Sequence, residues 1–259
     1  MTRVALIVTD NILYKNDFIN RLVKSNSDNI VLLIELNFKH PKTDKKEHIN
    51  RYLRLLGLKG VVYIGILTII NFIRKAAAAI SNGSDGYSVR QIASKNGIAY
   101  FRITDVNSPD TIRLLESQGI DYIFNSGNQI YRKPMLEAFP GRILNRHTSL
   151  LPAYGGISPI FWQMLHGTED GGVTLHGIDS RIDDGEIAYQ ARMRIDCSYT
   201  LFQHYRMGFQ LSLDLCNQAI SDLNKGVVMR TAMTGLRSYY SWPELKAIKA
   251  FRKKGLRIC

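Results

Sequence analysis

Cysteine is scarce. The 259 residues hold three, Cys197, Cys216 and Cys259, and no two lie close in sequence. That excludes a disulfide framework and offers no metal-ligand spacing, so a reducing, cytoplasmic setting without a metal is expected. No G-x-G-x-x-G follows the first apolar run, which argues against a nicotinamide dehydrogenase, and no G-x-x-x-x-G-K-[ST] marks a P-loop enzyme. The amino-terminal apolar run is too short for a signal peptide and lacks a small-residue cleavage site. Long apolar runs are missing too. The longest, VVYIGILTIINFI from Val61 to Ile73, is too short to span a bilayer and ends on Arg74 and Lys75. It predicts a buried strand running into a helix, with a peripheral membrane patch as the alternative and no membrane span. Acidic residues are few, 22 against 34 Lys and Arg, for a formal net charge of +12. That favours a phosphate-bearing partner or an acidic membrane face, although a solvated basic surface explains it equally.

What is present is an alternation. RVALIVTD and NIVLLIELN are short continuous apolar runs, the pattern of strands buried on both faces. FINRLVKS between them has helical spacing. TDKKEHINRYLRLLG is charged and periodic, a helix that Gly57 should end, and the alanines of RKAAAAI suit a helix before the loop SNGSDG. SVRQIASKNG and NSPDTIRLLESQG read as helices opened by Ser88 and Ser108 and closed by glycine, and IAYFRI and IDYIFNSG as strands. The predicted fold class is α/β, a doubly wound, mostly parallel sheet that binds ligands at the carboxyl ends of its strands. SPIFWQMLHG then reads as a helix, GVTLHGID and GEIAYQARMRI as strands, and TLFQHYRMGFQLSLDLCNQAISDLNKG as an amphipathic helix of about seven turns. The expected organisation is one α/β domain over residues 1–195, with a C-terminal helix and basic tail over 196–259 packed on it.

The segment LNRHTSLLPAYGG interrupts this pattern. It continues the apolar run RIL, and side-chain alternation puts Asn145, His147 and Ser149 on one face at the strand's carboxyl end. Pro152 and two glycines then turn the chain away. Downstream, VTLHGIDSRIDDGEI brings His176, three Asp residues and a Glu to a turn between two strands. An amide, an imidazole and a carboxylate together suit acyl-type transfer: the imidazole moves protons, the carboxylate stabilises its cation, and the amide donates to an oxyanion.

These two segments resemble the core of the folate-dependent formyltransferases, which act on methionyl-tRNA, glycinamide ribonucleotide or amino sugars. The family pattern is an Asn, one residue, a His and a Ser-Leu-Leu-Pro turn, followed at a set distance by an Asp with a Gly within two residues. Asn145, His147, Ser149 to Pro152, Asp183 and Gly185 fit it, and the 38 residues from Asn145 to Asp183 are the family's spacing. The clear resemblance runs from about Tyr122 to Gln190. It implies a Rossmann-like fold, N10-formyltetrahydrofolate as formyl donor, a primary amine as acceptor, and no metal. By the same resemblance Asn145 and His147 would bind the oxyanion, His147 would relay the amine's proton, and Asp183 would orient and charge His147. The backbone of Gln129, Ile130 and Tyr131 would hold the donor's pterin ring, and the loop of Ile178, Asp179 and Ser180 would close its other side. Two departures stand out. Tyr154-Gly155-Gly156 replaces the Tyr-Arg-Gly of many relatives, and Asp184 stands where Thr or Gly is common, either perturbing Asp183 or pointing to solvent.

Taken without that resemblance, His176 reads as structural or supporting, Phe161 and Trp162 as core, and Tyr189, Arg192 and Arg194 as a solvated strand edge. His48, His166 and His204 have no motif around them. The acceptor is approached by elimination. After Gln190 the remaining residues read as one long helix and a basic tail rather than the barrel that grips a transfer RNA. The position of a Gly-rich phosphate loop reads TDNILYKNDF. A nucleotide-linked amino sugar for surface polysaccharide synthesis therefore remains, most like the amino-sugar N-formyltransferases, with no nucleic-acid partner and a homodimer left open. The alternatives are methionyl-tRNA or another small amine, and a non-catalytic basic module that binds nucleic acid through KAIKAFRKKGLR.

Overall fold

The computed structural model describes residues 1–9, 14–37, 45–81 and 86–259. In chain order the strands are β1 (Val4–Val8), β2 (Ile30–Leu36), β3 (Ala99–Ile103), β4 (Tyr122–Ser126), β5 (Ile143–His147), β6 (Gly155–Gly156), β7 (Asp170–Gly177), β8 (Ile187–Arg194) and β9 (Tyr239–Tyr240). The helices are α1 (Lys15–Ser25), α2 (Lys45–Ile80), α3 (Val89–Lys95), α4 (Pro109–Ser117), α5 (Lys133–Ala138), α6 (Pro159–His166), α7 (Leu201–Asn224) and α8 (Leu245–Lys253).

β1 is buried from end to end. Val4, Leu6 and Val8 enter one core cluster, and Ala5 and Ile7 enter another. Both faces of this strand are covered, which is why its sequence shows no polar alternation. It lies in the middle of a seven-stranded sheet of order β3-β2-β1-β4-β5-β7-β8. The pairs from β3 to β5 are parallel, and β7 and β8 add antiparallel. This is the doubly wound, mostly parallel α/β sheet that the sequence predicts. Helices α1, α3 and α7 cover the face of Leu6, and α4 and α5 cover the face of Ile7. A third cluster joins α6, α7 and α8 around Phe161 and Phe251, whose rings stack at 4.6 Å.

Local signals hold at the helix starts. Ser88 and Ser108 accept from the backbone N–H groups of Gln91 and Thr111, and Thr200 and Gln203 form a capping box that opens α7. Each satisfies donors that the first helical turn leaves unpaired.

One expectation is overturned. Val61–Ile73 is not a buried strand; it lies within helix α2. Gly57 ends the preceding helix as expected: its positive φ of 65° is non-helical, and a second helix starts across the kink, both falling within the span of α2. A continuous run of Val, Ile and Leu has no period that separates strand from buried helix, and length decides between them. Among the described residues, Ile49–Ile80 is a helix long and apolar enough to cross a bilayer by length and composition. The side chain of His48 and most of the SNGSDG loop lie outside the described residues.

Candidate active site

Register builds the site. Asn125 on β4 pairs with Asn145 on β5, and Asn145 pairs with His176 on β7. Directly opposed residues on neighbouring strands present their side chains together, so three strands deliver two amides and an imidazole in one row. The Tyr131 phenol and the Gly127 N–H donate to Asn125 Oδ1 at 3.1 and 3.0 Å. Asn125 Nδ2 donates to Asn145 Oδ1 at 2.8 Å. Asn145 Nδ2 stands 3.2 Å from His176 Nε2. The other ring nitrogen, His176 Nδ1, is 2.8 Å from the Gly177 carbonyl, which can only accept. The proton therefore sits on Nδ1, and Nε2 receives the Asn145 amide. Burial, then the neighbouring His147, pushes His176 down to about 4, so this imidazole stays neutral and fixes which way Asn145 points.

Asp183 closes the row. Its Oδ1 is 3.7 Å from His176 Nε2 and its Oδ2 is 3.7 Å from His147 Nδ1. The Gly156 N–H donates to Oδ2 at 2.7 Å. His147 Nε2 lies 2.8 Å from the Tyr154 carbonyl, so the neutral ring carries its proton there and leaves Nδ1 as a base facing the carboxylate. A proton taken up on Nδ1 would be offset at once by Asp183. Asp183 and Tyr154 both have left-handed backbones, φ 51° and 58°, a conformation that side chains other than glycine adopt at a cost. Asn145, His147 and Asp183, chosen from the sequence as one constellation, thus lie together, linked through His176. His176 takes a supporting place, as expected of it, whereas Asn125 was not singled out from the sequence. The Asn in IDYIFNSG, at the carboxyl end of a predicted strand, was the available signal.

The formyl transferase profile matches residues 2–212. The chain belongs to this family. A methionyl-tRNA formyltransferase of Finegoldia magna is 28% identical over 139 residues, 53% of this chain and 45% of that protein. The chain spans about half the length of the curated relatives it matches. Glycinamide ribonucleotide transformylase 1 from Symbiobacterium toebii superposes with a TM-score of 0.62 at 19% identity, covering 91% of this chain and 95% of that chain. The N-formyltransferase from Helicobacter canadensis, solved in complex with folinic acid and dTDP-3-aminofucose, gives 0.60 at 17% identity over 100% and 84% of the two chains. At these identities the structural likeness speaks for the fold.

Around this family core, the tail is part of the site. Ser238 Oγ accepts from Tyr154 N at 2.8 Å, the Ser238 carbonyl from Gly155 N at 2.9 Å, and the Tyr240 carbonyl from Ile157 N at 2.8 Å. β9 thereby pairs in parallel with β6. Gly156 is required there: its φ is 92°, and a Cβ would sit 2.1 Å from the Tyr240 carbonyl. Arg237 pairs with Asp184 and donates to the Ile182 carbonyl at 3.0 Å, while Arg181 pairs with Asp184 at 2.6 Å. Asp184 therefore does not point to solvent; it ties the turn to the tail. Trp162, expected in the core, is half-buried. Its Nε1 donates to the Ser241 carbonyl at 3.1 Å, and its ring stacks on Tyr240 at 5.0 Å. Tyr240 also stacks on Tyr154 at 5.4 Å, giving an aromatic shelf beside Asp183.

The segments expected to hold a pterin flank one apolar cluster. Tyr131 is buried in it and Ile178 packs against it. Gln129 Oε1 accepts from Val106 N at 2.7 Å, and the Ile130 carbonyl accepts from Asn107 at 3.0 Å, while the Ile130 side chain is exposed. Asp179 and Ser180 are exposed. Arg192 and Arg194 lie apart from this site, paired with Asp170 and Glu169 on the outer strand β8. His204 is fully buried and holds the start of α7, accepting from Asp196 N at 3.0 Å.

Two basic groups lie on the sheet's other face. Arg146 alternates away from Asn145 and His147, donates to Ser126 Oγ at 3.2 Å, and stacks 3.7 Å over the Phe209 ring. Lys15 Nζ donates to Thr9 Oγ1 at 2.7 Å and to the Ser126 carbonyl at 2.8 Å. Burial, then Arg146, lowers Lys15 from 10.5 to about 7. The unfolded chain thus binds more protons between those values, and stability contributed at this residue rises with pH across that window. Relative to the wild type, Lys15→Met should gain most stability below about pH 7, with the gain shrinking towards about pH 10. Urea unfolding of both proteins across that range measures it; a pH-independent difference would contradict the depressed value.

Proposed function

We propose that the protein transfers the formyl group of N10-formyltetrahydrofolate to the primary amine of a nucleotide-linked amino sugar. The row Asn145–His176–Asp183–His147 at the carboxyl end of β5 carries this reading. The acceptor's amine nitrogen attacks the formyl carbon. The oxygen that becomes negative accepts from the free hydrogen of Asn145 Nδ2, which the neutral His176 holds in place. His147 takes the amine's proton, with Asp183 stabilising the imidazolium. That proton then passes to the donor's N10 as the C–N10 bond breaks, leaving a formamide and tetrahydrofolate. Residues 129–131 and 178–180 both reach one apolar cluster, through Tyr131 and Ile178, which supports a pterin ring bound there.

The acceptor class draws support from three observations. The Tyr154–Tyr240–Trp162 shelf offers stacking surface beside Asp183. The net charge of +12 suits a diphosphate. A structural relative is held with dTDP-3-aminofucose. Methionyl-tRNA is the second reading, favoured by the name of the curated relatives.

The test compares rates at fixed donor for dTDP-, UDP- and GDP-linked 3-amino and 4-amino sugars, charged methionyl-tRNA and glycinamide ribonucleotide, following tetrahydrofolate release and product mass. At least one sugar nucleotide should exceed both other acceptors by about tenfold or more in kcat/KM. Faster formylation of methionyl-tRNA or glycinamide ribonucleotide than of every sugar nucleotide would overturn the acceptor and leave the chemistry standing.

A further inference from the structure

Helix α2 is apolar and yet lies outside the core. Between Lys59 and Arg74 it carries no charged residue, and its most apolar window has a mean hydropathy of 1.9 with 6% of that window buried. Its inner side is tied to the domain. Leu55 enters the cluster of α6 and α8, the Tyr63 ring is 5.8 Å from Phe202, Ala78 is buried, and the Lys75 carbonyl accepts from Gln91 at 2.8 Å. The outer side is a ridge of Leu58, Val62, Ile66, Ile69, Phe72 and Ile73, each between 52% and 82% exposed. At 3.6 residues per turn these six fall within an arc of about 120° along roughly 23 Å of axis, which defines one continuous face. Exposed apolar faces of this extent mark interaction surfaces.

Charge decides what covers it. From His48 through Ser81 the sequence has no Asp or Glu, and Arg54, Lys59 and Arg74 stand at the ends of the apolar run. Helix α8, which packs on α2, adds exposed Lys246, Lys249 and Lys253. A second copy laid against this face would bring like charges together, with no carboxylate between His48 and Ser81 to pair them. A bilayer with anionic headgroups supplies both the apolar depth and the opposite charge. We propose that the outer face of α2 docks the protein on an anionic membrane surface. The helix lies in the interfacial plane while its inner face stays on the domain, so it rests on the bilayer rather than crossing it. This inference is independent of the acceptor.

Co-sedimentation of the full chain with vesicles tests it, using phosphatidylcholine alone or with about 30% phosphatidylglycerol. The partition coefficient should be at least ~10-fold higher on the anionic vesicles. The double variant Ile69→Glu/Phe72→Glu, at exposed positions, should lose at least ~10-fold of that binding with its thermal unfolding unchanged. The charge reversal Arg54→Glu/Lys59→Glu should lower anionic binding roughly tenfold and leave neutral binding as it was. The proposal is overturned if the wild type binds anionic vesicles no better than Ile69→Glu/Phe72→Glu does. It is equally overturned if the wild type is a dimer that ignores vesicles and that variant is a monomer, since the ridge would then face a second copy.

Discussion

His147→Ala and Asp183→Asn are each expected to lower turnover by at least ~100-fold with little change in donor affinity. Under the proposed mechanism the two residues act as one unit. His147 Nε2 is held by the Tyr154 carbonyl at 2.8 Å, which leaves Nδ1 to receive the amine's proton. The carboxylate 3.7 Å away is nearly buried, at 11% exposure, so little water stands in for it when it is replaced by an amide. Removing either partner therefore removes most of the proton-transfer capacity, and the double variant should be scarcely slower than the worse single one. In the proposed function the donor is held by the segments around Gln129 and Ile178, so its affinity should change by less than about threefold. Steady-state kinetics and donor titration of both variants decide the matter; near-wild-type turnover in either one would remove the mechanism.

The second large effect concerns two glycines that face each other across the β7–β8 turn. A Cβ on Gly185 would stand 2.0 Å from the Gly177 carbonyl oxygen, whereas a Cβ on Gly177 would meet Glu186 at an ordinary 3.7 Å. Backbone on both sides cannot yield as a flexible side chain would. Gly185→Ala must therefore lift the turn that carries Asp183 and Asp184 away from β7. A displacement of about 1 Å in a catalytic group can cost ~100-fold in rate, so activity should fall by that order. Stability should fall by about 2–3 kcal/mol, as overpacking against fixed structure does. Gly177→Ala should keep both within a few-fold and about 1 kcal/mol. The pair is compared by turnover and urea unfolding. Equal behaviour would show that the turn is not fixed where the structure puts it.

The kinetic prediction rests on residues that were legible in the sequence, and the steric one on a contact that was not. Asn145 and His147 could be placed on one face because alternation along a strand is a local property, and Asp183 followed from motif spacing. His176 and Asn125 could not be placed. Whether either joins the row depends on the register of β4 and β7 against β5, and register is set by the packing of whole strands. Trp162 was half legible for a related reason: an apolar helix position does not say that, besides the core it packs against, its ring will meet Tyr240 from the tail.

The sequence by itself determined the alternating parallel sheet, the helix starts at Ser88 and Ser108, and the members of the formyl-transfer motif. Each rests on a period, a cap or a spacing that is complete within a few dozen residues. Tertiary structure alone decided the rest. It folded Val61–Ile73 into an exposed helix, since an unbroken apolar run carries no period to choose by. It also brought Arg237 to Asp184 and Ser238 to Tyr154, groups separated by 53 and 84 positions. Those bonds make the basic tail a wall of the site, and no local pattern encodes them, because they exist only once the sheet has brought β6 and β9 side by side.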